Sequence, residues 1–115
     1  MKFIITIFLS VVLFAGCEKS GTVDSNLPTC LKAMINDLEK EPVRNPPASV
    51  WQYEYNGQTV YYVPSYCCDM YGTLYNNDCE IICHPDGGIT GGGDGRCTDF
   101  FSKRKNEKLL WQDNR

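Results

Sequence analysis

Six of the chain's seven cysteines, Cys30, Cys67, Cys68, Cys79, Cys83 and Cys97, fall within 68 residues. An even set at this density in an exported chain predicts three structural disulfides. Each contributes roughly 2–4 kcal/mol, which matters in a small domain with a modest core. Six cysteines allow fifteen pairings, and spacing does not choose among them. Cys67 and Cys68 are neighbours whose side chains diverge in an extended backbone, so the pair is expected to pin this point to two different elements. A zinc site at Cys79, Cys83 and His84, or a redox pair, is the competing reading. Both lack the Cys-x-x-Cys spacing, and an oxidising compartment works against free thiolates.

The export expectation rests on the first 16 residues. Lys2 supplies a positive start, and Phe3 to Ala15 is a 13-residue apolar stretch, short of the roughly 20 residues a membrane helix needs. It ends in Phe14-Ala15-Gly16-Cys17, which resembles the bacterial lipobox, with Phe14 where Leu is usual. The resemblance implies cleavage before Cys17 and acylation of its thiol. Two or more acyl chains would anchor the chain stably in a lipid bilayer. Glu18 stands where Asp marks inner-membrane retention in enterobacterial lipoproteins, so the outer membrane is the expected destination. Residues 17–29 read as the lipidated Cys and a polar, aperiodic tether, and residues 30–115 as the folded domain.

Removing the first 16 of 115 residues leaves 99, with 10 cationic against 14 acidic side chains. That acidic balance argues against nucleic acid as a partner, which requires a basic face. A content of 43% apolar residues is too high for a disordered chain. Leu31, Met34, Ile35 and Leu38 recur at helical spacing, so 29–40 is expected to be an amphipathic helix ended by Pro42. Val50 to Tyr55 and Gln58 to Val63 are β-rich runs joined by Asn56-Gly57, the preferred two-residue type I′ turn. That turn fixes the register as Tyr55 with Gln58, Tyr53 with Val60 and Trp51 with Tyr62. The resulting aromatic face is expected to receive the helix, leaving Tyr61 on the opposite face as the candidate exposed contact. Thr73-Leu74-Tyr75 and Glu80-Ile81-Ile82-Cys83 predict a second hairpin, and Lys108 to Gln112 a last strand or a tail laid over the core. The basic run from Ser102 to Lys108 reads as a solvated turn. The expected fold is α+β: an N-terminal helix packed on a small antiparallel sheet, disulfide-rich.

Pro85 to Gly95 holds six glycines in eleven residues. Asp86, Asp94 and Asp99 around it could supply carboxylates to calcium. The spacing matches neither an EF-hand nor a nonapeptide β-roll, and the alternative is a set of tight turns capped by Asp side chains. Catalytic chemistry is thinly supplied. His84 is the one base suited to neutral pH, and there is no Gly-x-Ser-x-Gly elbow, metal-binding His pair or spaced carboxylate pair. The expectation is a non-enzymatic binding or structural module of the cell envelope, with a calcium-dependent binding domain as an alternative and an envelope or extracellular partner not specified by the sequence.

Trp51-Gln52-Tyr53-Glu54-Tyr55, Cys67-Cys68-Asp69, Pro85-Asp86-Gly87-Gly88, Gly93-Asp94-Gly95 and the following Phe100, taken together, resemble a family of small exported proteins of unknown function from the Bacteroidetes lineage. The resemblance implies an envelope domain and brings no activity or ligand. Tyr75-Asn76-Asn77-Asp78-Cys79 also resembles the Tyr-x-Asn-x-Cys element of Kazal-type serine-protease inhibitors. That likeness implies an inhibitor, although the early Cys pair and reactive loop of that family are missing.

Overall fold

A computed structural model describes residues 24–67 and 69–115. The expected signal segment, Cys17, the first part of the expected tether and Cys68 lie outside the described residues. Helix α1 spans Thr29–Lys40, as its apolar spacing predicts. Pro28 stands at the N-cap, and its carbonyl accepts from the Leu31 and Lys32 N–H groups. Glu41 is extended at the other end, ahead of Pro42, whose ring disfavours helix in the residue before it. The last part of the segment expected to be a tether is folded. Asp24 to Leu27 form a turn closed by the Leu27 N–H on the Asp24 carbonyl at 3.1 Å, and Leu27 is buried beside the helix.

Five strands follow: β1 (Ser49–Tyr55), β2 (Gln58–Val63), β3 (Thr73–Tyr75), β4 (Ile81–Cys83) and β5 (Lys105–Gln112), with a single-turn helix α2 (Phe100–Lys103) before the last. They form one antiparallel sheet in the order β4-β3-β2-β1-β5. The first hairpin has the register its turn dictates, Tyr55 to Gln58 through Trp51 to Tyr62. Asn56 and Gly57 both adopt positive φ, 50° and 75°, as a type I′ turn requires. The second hairpin extends the sheet beyond β2, and β5 covers the free edge of β1. The strand expected to begin at Lys108 therefore begins at Lys105, and Ser102 and Lys103 lie in α2, where a solvated turn was expected.

The placement of α1 differs from the sequence expectation. It packs on the face carrying Val50, Tyr61, Trp111 and Ala48, through Leu31 and Ile35, which are 0% and 1% exposed. Fully burying such a side chain is worth about 1.5–3 kcal/mol. Tyr61 is therefore buried at 3% exposure rather than offered as a contact. The polar residues Gln52, Glu54 and Thr59 occupy one end of that face only, and the other end is apolar enough to seat a helix. The aromatic face is covered instead by Phe100 of α2 and by the chain around Cys97. Phe100 is fully buried, with T-shaped ring contacts to Tyr53 at 5.5 Å and Tyr55 at 5.4 Å.

Cys30 bonds Cys79, joining the start of α1 to the β3–β4 turn, and Cys83 bonds Cys97, closing the glycine-rich segment. Loops of these lengths, 49 and 14 residues apart in sequence, remove about 4 and about 3 kcal/mol of unfolded-chain freedom on a chain-entropy argument. Cys67 is also disulfide-bonded. Cys30, Cys79, Cys83 and Cys97 are engaged with one another, so Cys67 does not pin the chain to any of these four, contrary to the sequence expectation. The thiols considered for zinc at Cys79 and Cys83 are likewise in disulfides. Among the described residues, no helix is long and apolar enough to cross a membrane.

Candidate functional site

The strand directions divide the domain into two ends. The β1–β2 and β3–β4 turns lie at one end, and Cys30–Cys79 brings the start of α1 there. The β2–β3 connection and the segment after β4 lie at the other end, and together they build an apex.

The apex is held by backbone. The Gly72 N–H donates to the Asp86 carbonyl at 3.2 Å, and the Gly88 N–H to the Met70 carbonyl at 3.3 Å. Within the glycine segment, Gly87 donates to the Gly91 carbonyl at 3.2 Å, Gly93 to Gly87 at 3.0 Å and Asp94 to His84 at 2.9 Å. The turn 88–91 is closed by the Gly91 N–H on the Gly88 carbonyl at 3.1 Å, which places Ile89 at its corner. Gly93 shows why side chains are excluded: its φ is 75°, and a Cβ there would sit 2.2 Å from the His84 carbonyl oxygen.

Asp94 braces this loop. It accepts from the His84 N–H at 3.0 Å, the Arg96 N–H at 3.0 Å and Arg96 Nε at 2.8 Å. Desolvation pushes its carboxyl up, but the hydrogen bonds from Arg96 and His84 outweigh it and hold the pKa at about 2. The His84 ring stacks on Tyr71, centroids 4.9 Å apart, with Nδ1 at 3.1 Å from the Gly72 carbonyl. Nδ1 also lies 3.3 Å from the Thr73 hydroxyl, so the ring is held in place through this one nitrogen. The outer surface of the apex is apolar. Ile89 is 91% exposed, Met70 54% and Tyr71 46%.

Beneath the apex, the sheet's aromatic face is fixed by three tyrosine–carboxylate hydrogen bonds. The Tyr62 hydroxyl donates to Asp86, 2.8 Å from both oxygens; Tyr53 donates to Glu107 at 2.7 Å; and Tyr55 donates to Asp99. Burial, reinforced by Asp86, raises the Tyr62 pKa well above the phenol range, and burial with the Glu107 bond raises Tyr53 to about 12. For Tyr55 the bond to Asp99 is the main cause of a raised pKa.

The three carboxylates considered for calcium are thus separated. Asp86 faces Tyr62, Asp94 braces the loop backbone, and Asp99 stands at the start of α2, bound by Tyr55 and by Lys103 at 3.0 Å. Among the described residues, no group of three or more His, Cys, Asp or Glu side chains is gathered to hold a metal ion. The Tyr75 to Cys79 run forms the β3–β4 turn: the Asn76 side-chain oxygen accepts from the Asp78 and Glu80 N–H groups, both at 2.9 Å. Sequence reasoning missed Met70, Tyr71 and the roles of Phe100 and Arg104. The paired Phe100-Phe101 beside a cysteine was the one available signal for the cover of the aromatic face.

These features define a class: a disulfide-linked α+β domain with a five-stranded antiparallel sheet, covered by a helix on one face and by a braced glycine-rich loop and single-turn helix on the other. Residues 36–113 match a family model described as a domain of unknown function, DUF6970. The chain belongs to this family, whose matched span runs from within α1 to just past β5. No curated protein and no solved structure matches the chain.

Proposed function

We propose that the chain is a lipid-anchored lipoprotein of the cell envelope, tethered through Cys17 in the outer membrane, and that its domain is a non-enzymatic binding module. The observation that carries this reading is the apex: a nearly fully exposed Ile89 on a hydrogen-bonded, disulfide-closed loop, flanked by Met70 and Tyr71. A rigid apolar prong loses little conformational freedom on binding and suits insertion into a partner's pocket. Its position supports the reading further. The start of α1, to which the expected tether leads, sits beside the β3–β4 turn through Cys30–Cys79, and the apex lies at the opposite end of the strands. Near the apex, the Asp86 and Asp94 carboxylates are engaged in holding structure, by the Tyr62 hydroxyl and by the His84 and Arg96 N–H groups. The tight turn at 88–91 also weighs against the protease-inhibitor alternative, because a protease cleft reads an extended segment.

Two measurements test the reading. Intact mass of the chain recovered from membranes should show cleavage before Cys17 and acyl chains on it; an unmodified Cys17 overturns the anchor. A photocrosslinking side chain at position 89 should give one discrete adduct in intact envelopes, and none when placed at Leu109. Absence of an adduct at 89, or equal adducts at both positions, overturns the binding apex.

A further inference from the structure

At the end opposite the apex, beside the β1–β2 turn, lies an open depression of about 490 Å³, a volume within the range of small-ligand sites. It is lined by three consecutive cations, Lys103, Arg104 and Lys105, together with Asn56 and, as its one carboxylate, Glu54. In a chain of net charge −3, this is the place where basic side chains concentrate.

The cations are unevenly satisfied. Lys103 shares its charge with Asp99 at 3.0 Å. Among the described residues, neither Arg104 nor Lys105 has a carboxylate within ion-pair distance. Glu54 is Lys105's cross-strand neighbour, but its carboxylate accepts from the Asn106 side-chain amide at 2.8 Å. Arg104 is half-buried and pre-positioned: its guanidinium lies over the Tyr53 ring at 4.9 Å and the Phe101 ring at 5.0 Å, and Nη1 donates to the Tyr53 hydroxyl at 3.2 Å. A guanidinium fixed by its faces and one N–H keeps its other donors for a planar, two-pronged contact.

We infer that this depression binds a phosphate-type oxyanion, with Arg104 as the oriented donor and Lys103 and Lys105 as flanking charges. With Glu54 and Asp99 counted, the cluster keeps a net positive charge that calls for an anion, and a tetrahedral phosphate, whose oxygens point out of one plane, can meet the Arg104 fork and the flanking lysines together where a planar carboxylate cannot. The ligand is either a soluble phosphorylated compound or a lipid headgroup. The site rests on the local cation geometry and stands whether or not Cys17 is acylated.

The test uses the full ¹⁵N-labelled chain in an uncharged detergent, titrated at fixed ionic strength with inorganic phosphate, with dihexanoyl phosphatidic acid and with dihexanoyl phosphatidylcholine. Phosphate and phosphatidic acid should move the amide signals of Asn56, Gly57, Ser102 and Lys105, and leave those of Gly88 and Ile89 in place. Phosphatidic acid binding more tightly than inorganic phosphate identifies a lipid headgroup, and equal affinity identifies a soluble phosphate; either supports the site. The variant carrying Lys103→Gln and Lys105→Gln should bind at least about tenfold more weakly while keeping its spectrum elsewhere. Arg104→Lys, which keeps the charge and loses the fork, should also weaken binding. Shifts absent from these four amides, spread equally over the apex, or unchanged in the double variant overturn the inference.

Discussion

The two faces of the sheet are held by different physics. The helix face is closed mainly by aliphatic packing, with Leu31 and Ile35 against Val50, Tyr61 and Trp111. The other face is built from tyrosines whose rings pack on Phe100 while their hydroxyls reach outward to carboxylates on loops and on β5. Aliphatic packing is nearly indifferent to pH and tolerant of conservative repacking. A face assembled from ring contacts and phenol–carboxylate bonds ties its shape to protonation and to the exact residues that meet there. The apex is built on this second face, so its geometry inherits both sensitivities.

The most severe way to break the comparison is to remove the centre of the aromatic face. Phe100→Ala deletes a fully buried ring in contact with three tyrosines and should cost about 3–5 kcal/mol. Ile35→Val on the helix face should cost about 0.5–1.5 kcal/mol. Denaturant unfolding checks both. If Phe100→Ala costs under 1 kcal/mol, α2 is a loose cover and the aromatic face closes without it.

How far these faces were legible depended on the range of the interactions. The first hairpin was readable because Asn56-Gly57 fixes a register through two residues, and the helix because Leu31, Met34, Ile35 and Leu38 repeat locally. The second hairpin followed from two short apolar runs and a turn. What the sequence did not settle was which face the helix covers. Val50 and Tyr61 are as able to receive it as Tyr53 and Tyr62, and the choice falls to Phe100, some 40 residues downstream of the hairpin. The glycine segment was legible as turns, but the Met70 and His84 carbonyls that hold it are long-range partners without a local signature. The three carboxylates near it looked like a possible ligand set because sequence proximity does not show that Asp86, Asp94 and Asp99 point to different partners.

The apex offers a sharper test at a smaller magnitude. Gly93→Ala forces a residue with a Cβ into positive φ, against the His84 carbonyl, and should cost about 1–3 kcal/mol. The disturbance should stay on this face. Amide exchange is expected to rise over 84–97 and around Met70, with the protection of α1 unchanged. Equal loss of protection in α1 would mean that the two faces unfold as one unit and the contrast between them is only geometric.

Tyr62→Phe removes one hydroxyl and leaves Asp86 without its donor, for an expected loss of about 1–2 kcal/mol. The phenols also set an alkaline limit. Tyr53 titrates at about 12 when folded against 10.0 for an unperturbed phenol, and Tyr55, Tyr61, Tyr62 and Tyr75 are raised as well, so five of the seven tyrosines keep their protons longer in the folded chain. A raised folded pKa gives stability that is whole below pH 10 and is lost as pH climbs through the folded values. Ultraviolet titration should therefore show delayed tyrosinate formation in the folded protein, with unfolding setting in above pH 10. Tyr62→Phe should soften that limb. An identical alkaline midpoint in the variant would show that Tyr62 contributes nothing to it.

The acid limb should be the weakest effect, and it separates the loop from both faces. Asp94, held at about 2 by Arg96 and His84 against the opposing pull of desolvation, is the carboxylate that braces the apex backbone. Asp99 is lowered mainly by its bonds from Tyr55 and Lys103, and Asp113 by its bond from Arg115. Depressed carboxyl pKa values give stability that is present above the unfolded value, 3.8 for these groups, and is lost as pH falls through the folded values. The Asp94 and Asp99 side chains meet solvent, so screening keeps their contributions small, while Asp113 is buried beside Arg115. Between pH 4 and about 2, exchange protection should fall first in residues 84–97, where Asp94 alone ties His84 to Arg96. Asp94→Asn should flatten that local response and leave the alkaline limb untouched. If the variant instead shifts the alkaline limb, the apex and the tyrosine face are one electrostatic unit, and the loop's rigidity would then depend on the phenols beneath it.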